Sequence, residues 1–440
     1  MPHKRTYEIV GGNPVSGSIA CQGAKNFATK ALVATLLAED ISVLTNVPKI
    51  GEVDITLLLL ESAGAKVKWL DETTVEIDAR KLTSPKISMP DSRTNRIPIL
   101  LLGVLLHRFG EANVPIVGGD DIGVRKIDFH LQALEKFGGK VETSKGGYLA
   151  TAKRLKGCHI NLPYPSVGAT ESCLYLSVLA EGTTVIHNVA VEPEIMELIA
   201  MLRSMGAIIF TSSNREITVK GVEKLHGTRM HIIGDRLEVA SWASLACASE
   251  GDITVTGCRP ETLGNFLSYF SQVGGGFEFK SPDSIRFFRR KKLTSIVIET
   301  DVFPGFSTDW QQTFAVLLTQ ADGVSVIHET VYEQRFGYLS ILNALGAKTQ
   351  VVTHCLGAHQ CRYTGFDHPH SAIITGPTPF VAPDHPLLIP DLRAGLAYII
   401  AAAMAKGKTV LHAVEQVERG YGDLSQRLSP LGLDIKAVNS

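Results

Sequence analysis

Charge of one sign, long apolar runs and paired cysteines are all scarce in this chain of 440 residues. Its 43 Lys and Arg against 44 Asp and Glu leave a formal net charge of -1. General nucleic-acid binding needs a strong basic surplus, so it is excluded, and any anion must be met by a local cluster. No run of about 18 apolar residues occurs, and the basic residues between Met1 and Gly11 have no apolar segment behind them. A membrane span is therefore not expected, and the chain reads as soluble and cytoplasmic. Seven cysteines form no Cys-x-x-Cys pair. Cys21, Cys158, Cys173, Cys247, Cys258, Cys355 and Cys361, several of them inside apolar runs, read as buried free thiols. A Pro/Ser-rich linker is missing too, although a chain this long exceeds one core and two globular domains are the default.

What is present is repetition. A polar pivot opens an apolar helical stretch, a Val/Ile-rich strand follows, and a second, amphipathic helix closes at glycine before another strand. The pivots lie near Gly23, Asp91, Ser166, Asp235, Asp309 and Asp391, and the closing glycines are Gly64, Gly138, Gly206, Gly274, Gly346 and Gly432. A period of roughly 70 residues predicts an array of βαβ-type units. Phe27 to Ala38, Val53 to Ala63, Ile97 to Leu106 and Lys126 to Phe137 read as helices. Strands are expected at Ile41 to Leu44, Ala112 to Ile116, Thr183 to His187, Asp252 to Thr256, Gly323 to His328 and Lys408 to His412. The opening helices are apolar nearly all round, which suits helices packed inside a ring of sheets. Repeat counting puts a boundary around Gly227 to Gly234. The N-terminal stretches Tyr7 to Ile9 and Ile19 to Cys21 could pair with either half.

Between Val351 and Ile389 the sixth repeat carries extra residues, with His354, His359, His368, His370, His385, Cys355 and Cys361. Their spacing matches no standard ligand pattern and the segment is rich in Pro and Gly, so a long surface loop is expected rather than a metal.

Most pivots precede helices, whose free N–H groups and positive dipole end suit an anion. For any single Asp or Ser the plainer reading is an N-cap. Lys25, Arg96, Arg393 and Arg419 work against the dipole and want a bound anion. Gly118 to Arg125 reads Gly-Gly-Asp-Asp-Ile-Gly-Val-Arg and is expected to be a bent loop in which Asp120 and Asp121 pass for turn residues on local pattern.

Four separated motifs, Gly-Ala-Lys-Asn at Gly23 to Asn26, the Gly118 to Arg125 loop, Pro-Ser-Val-Gly-Ala-Thr at Pro165 to Thr170 and Arg-Gly-Tyr at Arg419 to Tyr421, resemble the UDP-N-acetylglucosamine 1-carboxyvinyltransferase family of enolpyruvyl transferases. The sister family acting on shikimate 3-phosphate uses a Ser-Lys-Ser type first motif, absent here. The resemblance implies an α/β fold of two inside-out barrels with three repeats each, residues 22–233 forming one and residues 1–21 with 234–440 the other. It also implies transfer of the enolpyruvyl group of phosphoenolpyruvate to the sugar 3′-hydroxyl by addition and elimination of phosphate. The expected partners are those two small molecules, with no cofactor, metal, nucleic acid or membrane insertion.

Position by position, Lys25 and Asn26 match the family's phosphoenolpyruvate pair, and Arg125, Arg335, Arg393 and Arg419 its anion-binding arginines. Arg96, Arg125, Lys126, Ile127, Asp128, Phe129, Ser166, Val167, Gly168, Asp309 and Val331 match nucleotide-sugar positions. Asp309 matches the carboxylate beside the attacking hydroxyl and is the expected base, while Asp391 matches a further acidic residue of the family's cleft. The chain departs from the family at Lys126, where proline is usual, and at Asp120, where most members have a cysteine that protonates the enol carbon and is alkylated by fosfomycin. An exposed aspartate at ~3.9 is ionised at neutral pH and cannot donate, so Asp120 needs a raised pKa. Competing expectations are a nucleotide-sugar binder that has lost its acid, a transferase acting on shikimate 3-phosphate, and a repeat scaffold for protein partners.

Overall fold

The computed structural model describes residues 5–88, 95–118, 127–358 and 361–439. The chain divides into two compact units, one within residues 23–233 and the other combining the N-terminal segment up to Gln22 with residues from Gly234 onward. Each unit has its own apolar core.

In the unit within residues 23–233, helices Lys25–Thr35, Pro98–Phe109 and Val167–Ser177 pack on one another in the centre, with three sheets around them. The centre demands helices without a polar face. Pro98–Phe109 is buried from Pro98 through Leu106, and Val167–Ser177 from Ala169 through Ser177. Full burial of a Leu or Ile side chain contributes about 1.5–3 kcal/mol, so these helices are held by packing rather than by intrinsic propensity. The second unit repeats the plan with Arg236–Ala248, Gln311–Leu318 and Leu392–Met404. Alanines such as Ala394, Ala397, Ala401, Ala402 and Ala403 let the last of these helices lie close to its neighbours.

One repeat shows the grammar. His159–Asn161 pairs parallel with Thr183–His187 across helix Val167–Ser177, and Thr183–His187 then pairs antiparallel with Glu216–Lys220, which pairs with Ile208–Ser212. A parallel pair needs such a crossover, and the helix supplies it. The first sheet of each unit takes its parallel partner from a part of the chain distant in sequence, downstream in one unit and upstream in the other. Arg229–His231 joins Ile41–Thr45, and Ser16–Ala20 joins Asp252–Thr256. At the two chain crossings there is no room for a side chain. A Cβ on Gly23 would lie 1.9 Å from the Asn46 carbonyl oxygen, and one on Gly234 would lie 2.3 Å from that of Gly257.

The predicted periodicity appears in backbone angles. Gly64, Gly138, Gly206, Gly274, Gly346 and Gly432 all have φ between 85° and 118°, the left-handed conformation that closes a helix and costs other residues energy. Thr183–His187, Asp252–Thr256 and Gly323–His328 fall where expected, while helix ends move by a few residues, as with Lys25–Thr35. The N-terminal strands both join the C-terminal segment. Arg5–Gly11 lies between Gly407–His412 and Asp434–Asn439, and Ser16–Ala20 lies beside Asp252–Thr256.

One expectation needs correction. The stretch from Val351 to Ile389 is not a single loop, and its first half does not belong to the sixth repeat. Ser371–Gly376 pairs antiparallel with both Gly323–His328 and Lys348–Val352, so it is a strand of the fifth repeat's sheet, and the excursion narrows to the connection between Val352 and Ser371. Its Pro and Gly content masked a short β-branched run, Ile373-Ile374-Thr375. All seven cysteines are free; Cys21, Cys173, Cys247 and Cys258 are buried, while Cys158, Cys355 and Cys361 are half-buried.

Candidate active site

In the second unit the charged residues gather at the starts of the central helices. Asp309 precedes Gln311–Leu318, and its two carboxylate oxygens take separate guanidinium groups. Arg335 Nη2 donates to Oδ1, and Arg393 Nη2 donates to Oδ2 at 3.0 Å. The Arg335 and Arg393 side chains are 3% and 7% exposed, against 24% for Asp309. Burial works against the Arg393 charge, but Asp309, then Tyr421 and Asp235, more than offset it and hold its pKa above the ordinary value. The Arg393 Nη1 donates to the Tyr421 hydroxyl, whose pKa is itself pushed up by burial. Gln312, in the amide orientation that satisfies both its ends, accepts from Arg335 Nε at 2.7 Å and donates to the Asp309 carbonyl at 3.3 Å. The two guanidinium groups share the Asp309 carboxylate, with Asp235 also acting on Arg393 and Glu329 on Arg335. Each guanidinium carries five N–H donors, so the pair suits an added anion.

Behind this cluster lies Glu329, which sequence reasoning missed. It is fully buried. Its carboxylate accepts from Val331 N at 2.7 Å, Tyr332 N at 3.0 Å, the Thr308 hydroxyl at 2.8 Å and the Gln311 amide. Burial pushes its pKa up, against Arg335, Thr308 and the two backbone N–H groups. This fixes the backbone at Val331, one of the expected nucleotide-sugar positions, whose carbonyl also accepts from Tyr363 Oη at 2.8 Å and from Arg362. Asp391 and Asp235 turn out to be helix caps. Asp391 Oδ1 accepts from Arg393 N at 2.8 Å and Ala394 N at 3.0 Å, and Asp235 accepts from Leu237 N at 2.9 Å. Arg419 sits half-buried on helix Glu415–Tyr421.

In the unit within residues 23–233, Lys25 and Asn26 open helix Lys25–Thr35, half-buried, with no acidic residue in the first turn. Ile127, Asp128 and Phe129 stand half-buried where helix Asp128–Lys136 starts. Ser166 caps Val167–Ser177 by accepting from Ala169 N at 3.4 Å. A buried residue not singled out beforehand, His130, links these segments. Its Nδ1 lies 2.7 Å from the Ser172 hydroxyl, and a Cβ on Gly168 would come within 3.1 Å of its ring. Burial, aided by the Arg96 charge, pushes the His130 pKa down to about 3, so the ring is neutral. Arg96, Asp128, Phe129 and Ser166 to Gly168 thus share one neighbourhood. The helix Asp128–Lys136 packs against Val167–Ser177 to bring this about. Glu171 is also buried, 3.9 Å from Lys30, and burial pushes its pKa up to about 7.

Asp91, Asp120, Asp121, Arg125, Lys126 and His359 lie outside the described residues. Among the described residues, one group has the donor set and spacing of a metal site: His328, Cys355, Cys361 and His370, in the second unit. Sequence reasoning had noted the last three and discounted them, and it missed His328.

A family model described as EPSP synthase (3-phosphoshikimate 1-carboxyvinyltransferase) matches residues 9–428. The UDP-N-acetylglucosamine 1-carboxyvinyltransferase of Protochlamydia amoebophila is 43% identical over 439 residues, covering 98% of this chain and 94% of that one. Its counterpart from Chlamydia trachomatis serovar D is 45% identical, covering 98% of both. Among solved structures, the enolpyruvyl transferase NikO of Streptomyces tendae superposes with a TM-score of 0.87 at 25% identity over the full length of both chains. EPSP synthase of Acinetobacter baumannii shares the fold at a TM-score of 0.77 and 18% identity, over 99% of this chain and all of that one.

Proposed function

We propose, from the premise that this chain belongs to the EPSP synthase (3-phosphoshikimate 1-carboxyvinyltransferase) family, that it transfers the enolpyruvyl group of phosphoenolpyruvate to the 3′-hydroxyl of UDP-N-acetylglucosamine and releases phosphate. The product feeds peptidoglycan synthesis, and this reading puts the work in the cytoplasm. No helix of the described residues is long and apolar enough to cross a membrane.

The observation that carries the reading is the Asp309 carboxylate bracketed by Arg335 and Arg393. Addition to phosphoenolpyruvate needs a base for the hydroxyl proton, an acid for the methylene carbon, and cations for carboxylate and phosphate. Asp309 is the base in this reading. Arg335, Arg393, Arg419, Arg125 and Lys25 meet the phosphoenolpyruvate anion, with Asn26 as its polar partner. Arg96, Arg125 to Phe129, Ser166 to Gly168 and Val331 hold the nucleotide sugar, the last on the backbone that Glu329 fixes.

Asp120 is the acid. It needs a pKa raised above the ordinary carboxylate value: desolvation by bound substrates and the neighbouring Asp121 would push it up, against the pull of Arg125 and Lys126. The elimination step then expels phosphate, whose charge the same cations stabilise. Phosphate release from phosphoenolpyruvate that requires UDP-N-acetylglucosamine tests the reading. Release with shikimate 3-phosphate alone would reassign the substrate, and tight nucleotide binding without release would make the protein a binder.

A further inference from the structure

We propose that His328, Cys355, Cys361 and His370 bind one Zn²⁺ in a tetrahedral S2N2 site that pins the chain between Val352 and Ser371 to the sheet of the fifth repeat. One ligand atom from each of the four residues lies within 4.8 Å of the others. The sulfurs of Cys355 and Cys361 are 3.7 Å apart, and Cys355 Sγ is 3.2 Å from His370 Nε2. With Zn–S near 2.3 Å and Zn–N near 2.0–2.1 Å, a tetrahedron places two sulfurs about 3.8 Å apart and a sulfur and a nitrogen about 3.6 Å apart. A disulfide would need about 2.05 Å between the sulfurs, far shorter than the separation here.

The fold supplies the site from two directions. His328 ends strand Gly323–His328, and His370 immediately precedes Ser371–Gly376, its antiparallel partner, so the register His328 to Ser371 sets both imidazoles at one end of the sheet. Both are fully buried, with ring centroids 5.3 Å apart. Neither ring nitrogen of His328 has a hydrogen-bond partner. Leaving a buried imidazole so is costly unless something else engages it. Its Nδ1 lies 3.6 Å from Glu299 Oε2, too far for a hydrogen bond.

The surroundings have what metal-bound groups require. His370 Nδ1 lies 2.6 Å from the His368 carbonyl, a contact that fixes the proton on Nδ1 and directs the Nε2 lone pair toward the sulfurs. Tyr363 N donates to Cys361 Sγ at 3.3 Å, and the Thr364 hydroxyl lies 3.3 Å from Cys355 Sγ, contacts that stabilise thiolates. Zinc fits best, since two thiolates and two imidazoles in a closed four-coordinate set are its structural chemistry. The metal would also hold in place Arg362 and Tyr363, which engage the Val331 carbonyl.

The test uses the full chain, purified without a polyhistidine tag under reducing conditions, and needs no substrate. Elemental analysis should find about one zinc per chain. Chelator-treated protein should take up Co²⁺ with a thiolate-to-cobalt charge-transfer band that ends at one equivalent and is displaced by Zn²⁺. Cys355→Ser and Cys361→Ser should each lose the zinc and the band, while Cys158→Ser, in the other unit, keeps both. Absence of both zinc and cobalt band from the unaltered protein would overturn the proposal, as would a Cys355–Cys361 disulfide in the reduced protein or undiminished zinc in the doubly substituted chain. The cobalt titration of unaltered protein decides the matter even if a variant fails to fold.

Discussion

Substituting Asp309→Asn preserves shape and removes one charge, and its cost can be worked from the site. Arg335 and Arg393, 3% and 7% exposed in their side chains, lose their shared counter-ion. The new amide must also turn its NH2 toward one of two groups that can only donate. Removing one partner of a buried charge pair costs about 3–5 kcal/mol. Asp309 is itself 24% exposed, so solvent relieves part of this, and about 2–3 kcal/mol is expected. In a unit of this size each kcal/mol lowers the midpoint by about 2–4 °C, giving roughly 4–12 °C for the transition of the second unit. Differential scanning calorimetry in a phosphate-free buffer reads this. Adding inorganic phosphate should narrow the deficit, because an anion then replaces the missing charge between the two arginines. Turnover should be lost along with the base. A variant melting within about 1 °C of the parent, with phosphate stabilising both equally, would refute the idea that this carboxylate holds an anion-binding pair in place.

Three further outcomes follow from other parts of the molecule. Burial raises the Glu171 pKa from an ordinary 4.5 to about 7, so the folded state binds the extra proton between those values. Its stability contribution is present below about 4.5 and lost as pH rises through about 7, so the advantage of Glu171→Gln over the parent should grow by on the order of 3 kcal/mol from pH 4 to pH 8 in urea denaturation; a pH-independent difference would show that Glu171 is not buried as described. Gly168→Ala would set a methyl group 3.1 Å from the His130 ring, and KM for UDP-N-acetylglucosamine should rise about tenfold with KM for phosphoenolpyruvate little changed, the reverse pattern being contrary to the assigned nucleotide-sugar neighbourhood. A carboxylate is a far weaker soft nucleophile than a thiolate, so the parent should resist inactivation by fosfomycin, Asp120→Cys should become sensitive, and Asp120→Asn should bind nucleotide without turning over; rapid covalent labelling of the parent at this loop would contradict the role given to Asp120.

Periodicity made the repeats legible because each repeat must meet the same packing problem. An apolar helix and a glycine able to take positive φ are needed every time, and the six closing glycines all show it. Caps were legible for the same local reason, as Ser166, Asp235 and Asp391 demonstrate. Partners distant in sequence were not. Nothing near Glu329 announces that Val331, Tyr332, Thr308 and Gln311 converge on it, since strand Gly323–His328 and helix Gln311–Leu318 meet only in the folded unit. His328 escaped notice as a ligand because spacing rules look along the chain, whereas antiparallel register brings it beside His370 from 42 residues away. His130 looked like an ordinary helical residue until the approach of Gly168 and Ser172 gave it neighbours.

The most direct test of the account is phosphate release from phosphoenolpyruvate, followed across a pH series with UDP-N-acetylglucosamine, with shikimate 3-phosphate, and with neither. The account predicts release with the nucleotide sugar only, falling at high pH as Asp120 loses its proton. Release that is independent of the nucleotide sugar, or that occurs with shikimate 3-phosphate instead, would contradict it.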